Sequence, residues 1–159
     1  MVEISNAMIQ KAVNILKHEG LLKQQFDTKT ILYLSQPLVE KGEVEEKAEL
    51  SSLINVVETF GKEAQFLYKP HSRDSKEKIK KYKKAIPNME IFDSKVPVEL
   101  LYAAEPHLDA VISYISSGLI FGDKFAGKQI KMFSLTGISC KAADANALKT
   151  LQNAGVVFI

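Results

Sequence analysis

Short apolar segments alternate with longer amphipathic ones along this chain, and no other feature limits its fold more. The apolar segments predict strands at 31–34, 66–68, 90–92, 110–115, 130–135 and 156–159. The amphipathic segments predict helices at 8–22, 45–60, 75–85, 97–104, from 117 onward and at 142–153. Strands separated by helices are typical of a doubly wound, mainly parallel, Rossmann-like α/β sheet with right-handed crossovers. We therefore predict one domain over residues 1–159, with the helix in 1–25 packing on this sheet or on a partner.

Composition excludes several classes of protein. The chain has 159 residues and a formal net charge of +2, which is too small to predict binding to nucleic acid. A single cysteine, Cys140, cannot form an internal disulfide and favours a reducing compartment. No apolar run reaches the length of about 18 residues that a membrane helix needs, and the first residues lack the pattern of a signal peptide. These features predict a cytoplasmic protein.

Polar residues follow three of the predicted strands. The segments are Ser35-Gln36-Pro37, Lys69-Pro70-His71-Ser72-Arg73 and Ser116-Ser117-Gly118. The carboxyl ends of parallel strands meet at one edge of a sheet, where ligands of doubly wound folds bind. Serine hydroxyls, a helix start, an imidazole and two cations suit a phosphate group. We therefore take as nucleotide-binding candidates Gln36, Lys69, His71, Arg73, Ser116 and Ser117.

Each of these features also has an ordinary structural interpretation. His71 alone could be a solvated loop residue, and the two serines could simply cap a helix. The lysines between 76 and 84 could form a solvated helix face, or could contact anionic lipid at the inner face of a membrane. The chain also lacks both the G-x-G-x-x-G pattern of dinucleotide-binding folds and the P-loop pattern. What favours a binding site is that the candidates converge on one edge of the sheet.

Three motifs in this order resemble the donor-binding half of bacterial sialyltransferases. They are Lys69-Pro70-His71-Ser72-Arg73, Pro97-Val98-Glu99-Leu100-Leu101 and Ser116-Ser117, with 28 residues from His71 to Glu99 and 17 from Glu99 to Ser116. The resemblance spans residues 31–133 and is nearest to the lipooligosaccharide and capsule enzymes of glycosyltransferase family 52. Marine-type sialyltransferases and polysialyltransferases are more distant. It implies the C-terminal, nucleotide-binding half of a two-domain GT-B fold.

The resemblance also implies roles for individual residues. The donor would be cytidine monophosphate sialic acid, and the acceptor would be a glycan hydroxyl. His71 would bind the donor phosphate and act as general acid, with Lys69 beside the same nucleotide. Glu99 would accept hydrogen bonds from the ribose hydroxyls, and Ser116 and Ser117 would bind the phosphate. No metal or other cofactor is expected in this scheme, because the chain has no acidic cluster typical of a magnesium site.

The chain departs from the pattern of the family at two places. Ser72 stands where the family motif has a proline after its histidine, so the backbone beside His71 is less restrained. The acidic base that many relatives carry in their other domain has only a weak counterpart in Glu40-Lys41-Gly42, although Glu40 or Glu43 could approach the edge of the sheet. Two alternatives therefore stay open. One is a GT-B half that uses another nucleotide sugar, and the other is a non-catalytic module that either binds a nucleotide or associates with itself as a homodimer.

Overall fold

The protein is described by a computed structural model for residues 5–22, 28–60, 63–86, 88–92, 96–126, 129–137 and 144–159. Six helices are present within these ranges: α1 (Asn6–His18), α2 (Glu46–Phe60), α3 (Lys76–Ala85), α4 (Val98–Ala104), α5 (Ser117–Ala126) and α6 (Ala145–Asn153). The six strands in these ranges are β1 (Thr30–Leu34), β2 (Gln65–Lys69), β3 (Met89–Ile91), β4 (Leu108–Ser113), β5 (Lys131–Ser134) and β6 (Val157–Phe158).

The six strands form one open sheet in the order β3-β2-β1-β4-β5-β6, and every neighbouring pair is parallel. The chain builds β1, β2 and β3 outward in one direction and then returns to place β4 on the other side of β1. The prediction of a doubly wound, Rossmann-like α/β sheet is therefore confirmed. The strand order reverses between β1 and β4, which identifies the switch point of this fold.

Alternate residues of β1 separate the core into two layers. Ile31 and Tyr33 face a cluster that contains residues of α2 and α3, such as Leu53 and Tyr82. Leu32 and Leu34 face a second cluster, which draws on four helices through Ile9 and Val13 of α1, Leu101 and Tyr102 of α4, Leu119 of α5 and Leu151 of α6. The side chains of a strand point alternately to opposite faces, so this alternation produces a sheet covered by helices on both sides.

Helix α1 packs into the core of its own chain. Ser5 caps α1 by accepting a hydrogen bond from the Met8 amide, and Gly20 follows the helix with a φ of 67°. Ile9 and Val13 are buried in the same cluster as the residues of α4. Of the two placements left open for this helix, the structure thus shows packing within the chain, while the extent of the domain remains a prediction.

Asp74, a residue type typical of helix N-caps, does not cap α3. The N-cap is Ser75, whose hydroxyl oxygen accepts a hydrogen bond from the Lys78 amide at 3.1 Å. The carboxylate of Asp74 is instead directed to the loop that precedes the helix, where it accepts a hydrogen bond from the His71 amide. Pro97, the predicted first residue of α4, is its N-cap residue, so the helix begins one position later than predicted, at Val98.

Candidate functional site

The strand order brings the predicted site residues to the carboxyl edge of the sheet. Gln36 follows β1, His71 follows β2, and Ser116 and Ser117 follow β4. Since β1 lies between β2 and β4, and neighbouring strands are about 4.8 Å apart, the ends of β2 and β4 are separated by about 10 Å. A space of this width over the end of β1 suits a phosphate or a sugar.

Gln36 joins the two strands at the switch point. Its side-chain oxygen accepts a hydrogen bond from the Ile115 amide at 2.8 Å, and its amide nitrogen donates to the Ile115 carbonyl. Gln36 therefore has a structural task that the sequence did not suggest. One of its two amide protons remains for a ligand.

The helix α5 begins directly after β4. Ser116 acts as its cap, because its hydroxyl oxygen accepts a hydrogen bond from the Gly118 amide at 3.2 Å. The hydroxyl proton of Ser116 can still be donated to an anion. Ser117 is exposed at the first position of the helix. The first turn of α5 thus presents hydroxyl groups together with the positive end of the helix dipole.

Gly118 allows α5 to begin close to the neighbouring elements. A Cβ atom at this position would lie 3.0 Å from Leu34 Cδ1 and 3.1 Å from Val98 Cγ1. The Tyr102 hydroxyl also donates a hydrogen bond to the Gly118 carbonyl at 3.1 Å. These contacts hold the first turn of α4, which carries Glu99, beside the first turn of α5. Burial, together with the charge of Glu99, raises the pKa of Tyr102.

A tight turn after β2 orients the imidazole of His71. Its Nδ1 accepts a hydrogen bond from the Arg73 amide at 3.2 Å. Asp74 closes the turn twice, because its carboxylate accepts from the His71 amide at 2.9 Å and its own amide donates to the His71 carbonyl at 3.0 Å. An Nδ1 that accepts a hydrogen bond carries no proton, so the imidazole presents Nε2–H as a donor.

The two predicted cations lie on either side of His71. Lys69 is the last residue of β2 and is half-buried, with its Nζ 5.7 Å from the centre of the Phe92 ring. Arg73 lies in the His71 turn and is exposed. Both therefore lie near the edge at which their positions after the predicted strand placed them.

A buried ion-pair network lies beneath this turn, and sequence analysis missed it. The side chain of Lys78 is 2% exposed, and its Nζ lies 3.2 Å from Asp74 Oδ1, 3.5 Å from Glu40 Oε2 and 3.6 Å from Glu49 Oε2. The interpretation of residues 76–84 as a solvated lysine face is therefore wrong for Lys78. The spacing of Lys78, Tyr82 and Ile86 was the available signal, because these residues share the buried face of α3.

Tyrosine hydroxyls connect this network to the sheet. The Tyr68 hydroxyl lies 2.9 Å from Asp74 Oδ2 and 2.8 Å from Ser35 Oγ. A carboxylate only accepts, so Tyr68 donates to Asp74 and accepts from Ser35. The Tyr33 hydroxyl donates to Glu49 Oε1. Burial raises the pKa of Glu49 despite the nearby charge of Lys78.

Glu40 is held by two partners at the base of the His71 turn. Its Oε1 accepts a hydrogen bond from the Ser75 amide at 3.1 Å, and its Oε2 pairs with Lys78. Glu40 thus connects the loop after β1 to the start of α3. Glu43, the other acidic candidate, is half-buried in the same loop.

Three concavities of the structure lie away from this edge. One of about 420 Å³ is at the amino ends of β2 and β3, beside Gln65 and Met89. A second, of about 530 Å³, follows the outer face of α1. The third, of about 320 Å³, is lined mainly by apolar side chains of α2 and of the chain around β5, including Phe60 and Phe133.

Within the described ranges, no group of His, Cys, Asp or Glu side chains is arranged to hold a metal ion. No helix in that part of the chain is long and apolar enough to cross a membrane. The expectation that no metal takes part stays a prediction.

A family model described as alpha-2,8-polysialyltransferase (POLYST) matches residues 3–134. No curated protein matches the chain. The matched segment contains α1 to β5 and every predicted site residue. It supports the expected sialyltransferase resemblance, while the assignment to glycosyltransferase family 52 and to half of a GT-B fold stays a prediction. Because the match covers most of its length, this chain belongs to the alpha-2,8-polysialyltransferase family, a family of sialyltransferases.

Proposed function

We propose that this chain is the donor-binding part of a sialyltransferase and holds cytidine monophosphate sialic acid at the carboxyl edge of its sheet. The observation that carries the proposal is the position of the His71 turn and the α5 start on either side of β1, at the switch point of a parallel sheet. Ligands of doubly wound folds bind at this point. Membership of a sialyltransferase family supplies the class of donor.

The phosphate of the donor is proposed to bind at the first turn of α5. Ser116 and Ser117 provide hydroxyl donors there, and the helix start favours negative charge. Lys69 and Arg73 add positive charge from the neighbouring strand end. Glu99, in the adjacent first turn of α4, would accept hydrogen bonds from the two ribose hydroxyls, since a carboxylate suits paired donors.

His71 would stabilise the departing nucleotide. During transfer, the bond between the anomeric carbon of sialic acid and the phosphate oxygen breaks, while an acceptor hydroxyl oxygen bonds to that carbon from the opposite side. Negative charge grows on the phosphate, and a preorganised donor lowers the barrier. In the observed turn His71 offers Nε2–H, because Nδ1 accepts from Arg73. A phosphate monoester has a second pKa of about 6, so the nucleotide can leave as a dianion near neutral pH, stabilised by hydrogen bonds alone.

The acceptor is proposed to be a glycan hydroxyl. The name of the matched family specifies an α2,8 linkage, which indicates a hydroxyl of a preceding sialic acid. We further propose that the chain acts as one half of a GT-B arrangement, similar to glycosyltransferase family 52, in which a second domain contributes to the acceptor site. The hydroxyl proton must pass to a base or to solvent as the new bond forms.

Calorimetric titration tests the donor site. We would titrate the protein with cytidine, uridine and guanosine monophosphates, and compare the wild type with His71→Ala. Selective binding of the cytidine nucleotide, weakened about tenfold or more in the variant, supports the proposal, because hydrogen bonds to charged groups contribute about 1.5–3 kcal/mol. His107→Ala is the matched control, since His107 is exposed and precedes β4 at the opposite edge. Absence of binding, or an equal effect of the control, contradicts the proposal.

One observation favours a second candidate, a nucleotide-binding module without turnover. Both carboxylate oxygens of Glu40 have partners, which makes this residue a poor acceptor for the proton of an attacking hydroxyl. A sugar-transfer assay with labelled cytidine monophosphate sialic acid and an oligosialic acid acceptor separates the two candidates. Turnover by the chain eliminates the module, whereas binding without turnover favours it.

A further inference from the structure

We propose that Asp74 is a positioning residue for His71, and that its carboxylate determines which imidazole nitrogen carries the proton. The proposal rests on the proposed function, in which Nε2–H of His71 faces the phosphate of the donor. The evidence for this inference comes from the contacts on the buried side of the His71 turn, where Asp74 forms an ion pair with Lys78.

The Asp74 carboxylate has three partners and no exposed surface. Oδ2 accepts hydrogen bonds from the His71 amide at 2.9 Å and from the Tyr68 hydroxyl at 2.9 Å. Oδ1 pairs with Lys78 Nζ at 3.2 Å, and the side chains of Asp74 and Lys78 are 0% and 2% exposed. The carboxylate therefore connects the backbone of His71 directly to β2 and α3.

The protonation pattern of His71 depends on this connection. Nδ1 can accept from the Arg73 amide only while the chain turns back tightly over residues 71–74. Asp74 closes that turn through its carboxylate and through its own amide, which donates to the His71 carbonyl at 3.0 Å. If the turn opens, Nδ1 loses its donor, and the proton is free to occupy either nitrogen.

An amide cannot replace this carboxylate. Asn at position 74 would have a single side-chain oxygen, which could serve either the Lys78 ammonium or the His71 amide. The charged donor forms the stronger hydrogen bond. We therefore expect the oxygen to turn towards Lys78 and the His71 amide to lose its acceptor. Asp74→Asn, which has the same shape as the wild type, thus isolates the positioning effect from a loss of packing.

NMR of the imidazole nitrogens tests the inference on the full chain without nucleotide. Long-range proton–nitrogen spectra, recorded at a pH where the imidazoles are unprotonated, distinguish Nδ1–H from Nε2–H. The chain has three histidines, and His71→Ala assigns the signals of His71. We expect only the Nε2–H form in the wild type and a mixture of both forms in Asp74→Asn and in Asp74→Ala.

Asp144→Asn is the matched control, because Asp144 also precedes a helix, but its carboxylate accepts from the Ala147 amide at 2.7 Å, far along the chain from His71. Asparagine caps helices as well as aspartate does. This control should leave the His71 signals unchanged. A wild-type spectrum with substantial Nδ1–H overturns the inference, even if neither Asp74 variant folds. Folded Asp74 variants that keep the pure Nε2–H form also overturn it.

Binding of cytidine monophosphate supplies a second readout. Asp74→Asn should weaken binding in proportion to the share of His71 that loses the Nε2–H form, about twofold for an equal mixture of the two forms. It should weaken binding little further in a His71→Ala background, because both substitutions remove the same interaction. Unchanged affinity together with mixed tautomers overturns the positioning role. If the wild type binds no nucleotide, the proposed function fails, while the tautomer result still decides what Asp74 does to His71.

Discussion

Gln36 and Ile115 are joined by two hydrogen bonds, one in each direction between a side-chain amide and a backbone peptide. The pair links the end of β1 to the end of β4, at the point where the order of the strands reverses. A side chain thus continues the pairing of the two strands beyond the end of the sheet ladder.

Gln36→Ala should lower the free energy of unfolding by about 1–3 kcal/mol, because the partly buried N–H and C=O of Ile115 lose their partners. Urea denaturation measures the change. Gln10→Ala, which truncates an exposed glutamine on α1, should change stability by less than about 0.5 kcal/mol. Equal effects of the two substitutions would show that the hydrogen bonds between Gln36 and Ile115 contribute little to stability.

Gly118→Ala should destabilise the protein by up to about 2 kcal/mol. Alanine favours a helix by about 1 kcal/mol, but the new Cβ would approach Leu34 Cδ1, Val98 Cγ1 and the Tyr102 hydroxyl to 3.0, 3.1 and 3.2 Å. Overpacking of this kind costs about 1–3 kcal/mol. Adding Val98→Ala removes one of the three contacts, so a thermal-unfolding cycle should find that the double variant loses less than the sum of the singles. Strict additivity would argue against steric contact at this position.

Lys78→Met should destabilise the protein by about 3–5 kcal/mol, because it leaves the carboxylates of Asp74, Glu49 and Glu40 without their shared cation. Lys80→Met on the same helix changes an exposed side chain and should stay within about 0.5 kcal/mol of the wild type. Chemical denaturation of both variants makes the comparison. If both variants lost a similarly small amount of stability, the ammonium group of Lys78 would be in contact with solvent.

Stability should depend on pH through Glu49. Its pKa in the folded protein is raised above the ordinary value of 4.5, mainly by burial. From pH 4.5 up to the folded pKa, the folded state binds more protons than the unfolded state, so stability falls as the pH rises through this window. Glu49→Gln cannot ionise and should lack this decrease. Its stability relative to the wild type should therefore increase with pH across the window.

Denaturation curves recorded between pH 4 and pH 8 would measure this difference. Glu58→Gln is the control, since Glu58 is an exposed carboxyl on the same helix and should not alter the slope. A slope that Glu49→Gln leaves unchanged would assign the pH dependence to another group.

The sheet and its binding edge followed from the sequence because both depend on short local patterns. Apolar runs such as 31–34 predicted the strands, and Ser116-Ser117-Gly118 directly after one of them predicted the start of α5. The strand order was not predicted, since a periodic pattern does not reveal which strands become neighbours. The strand order became known only from the structure, in which β1 pairs with both β2 and β4.

The network around Lys78 could not be predicted in full because its members are distant in sequence. Glu40, Glu49 and Lys78 meet only after the loop following β1, α2 and α3 have packed together. Lys78 was also hard to single out, because it is one of several lysines on α3 and differs from them only in its position on the helix. Asp74 directly precedes α3, but its carboxylate bonds to His71 and Tyr68 earlier in the chain and to Lys78 within the helix.

The two sides of the binding edge are supported from opposite layers of the molecule. His71 depends on α3 and on the residues packed with α2, whereas Glu99 and Ser117 belong to α4 and α5 on the other face of the sheet. The two layers meet only across the strands, so substitutions that tune one half of the edge should leave the other half undisturbed. Related proteins could therefore change the surroundings of His71 and those of Glu99 and Ser117 in separate evolutionary steps.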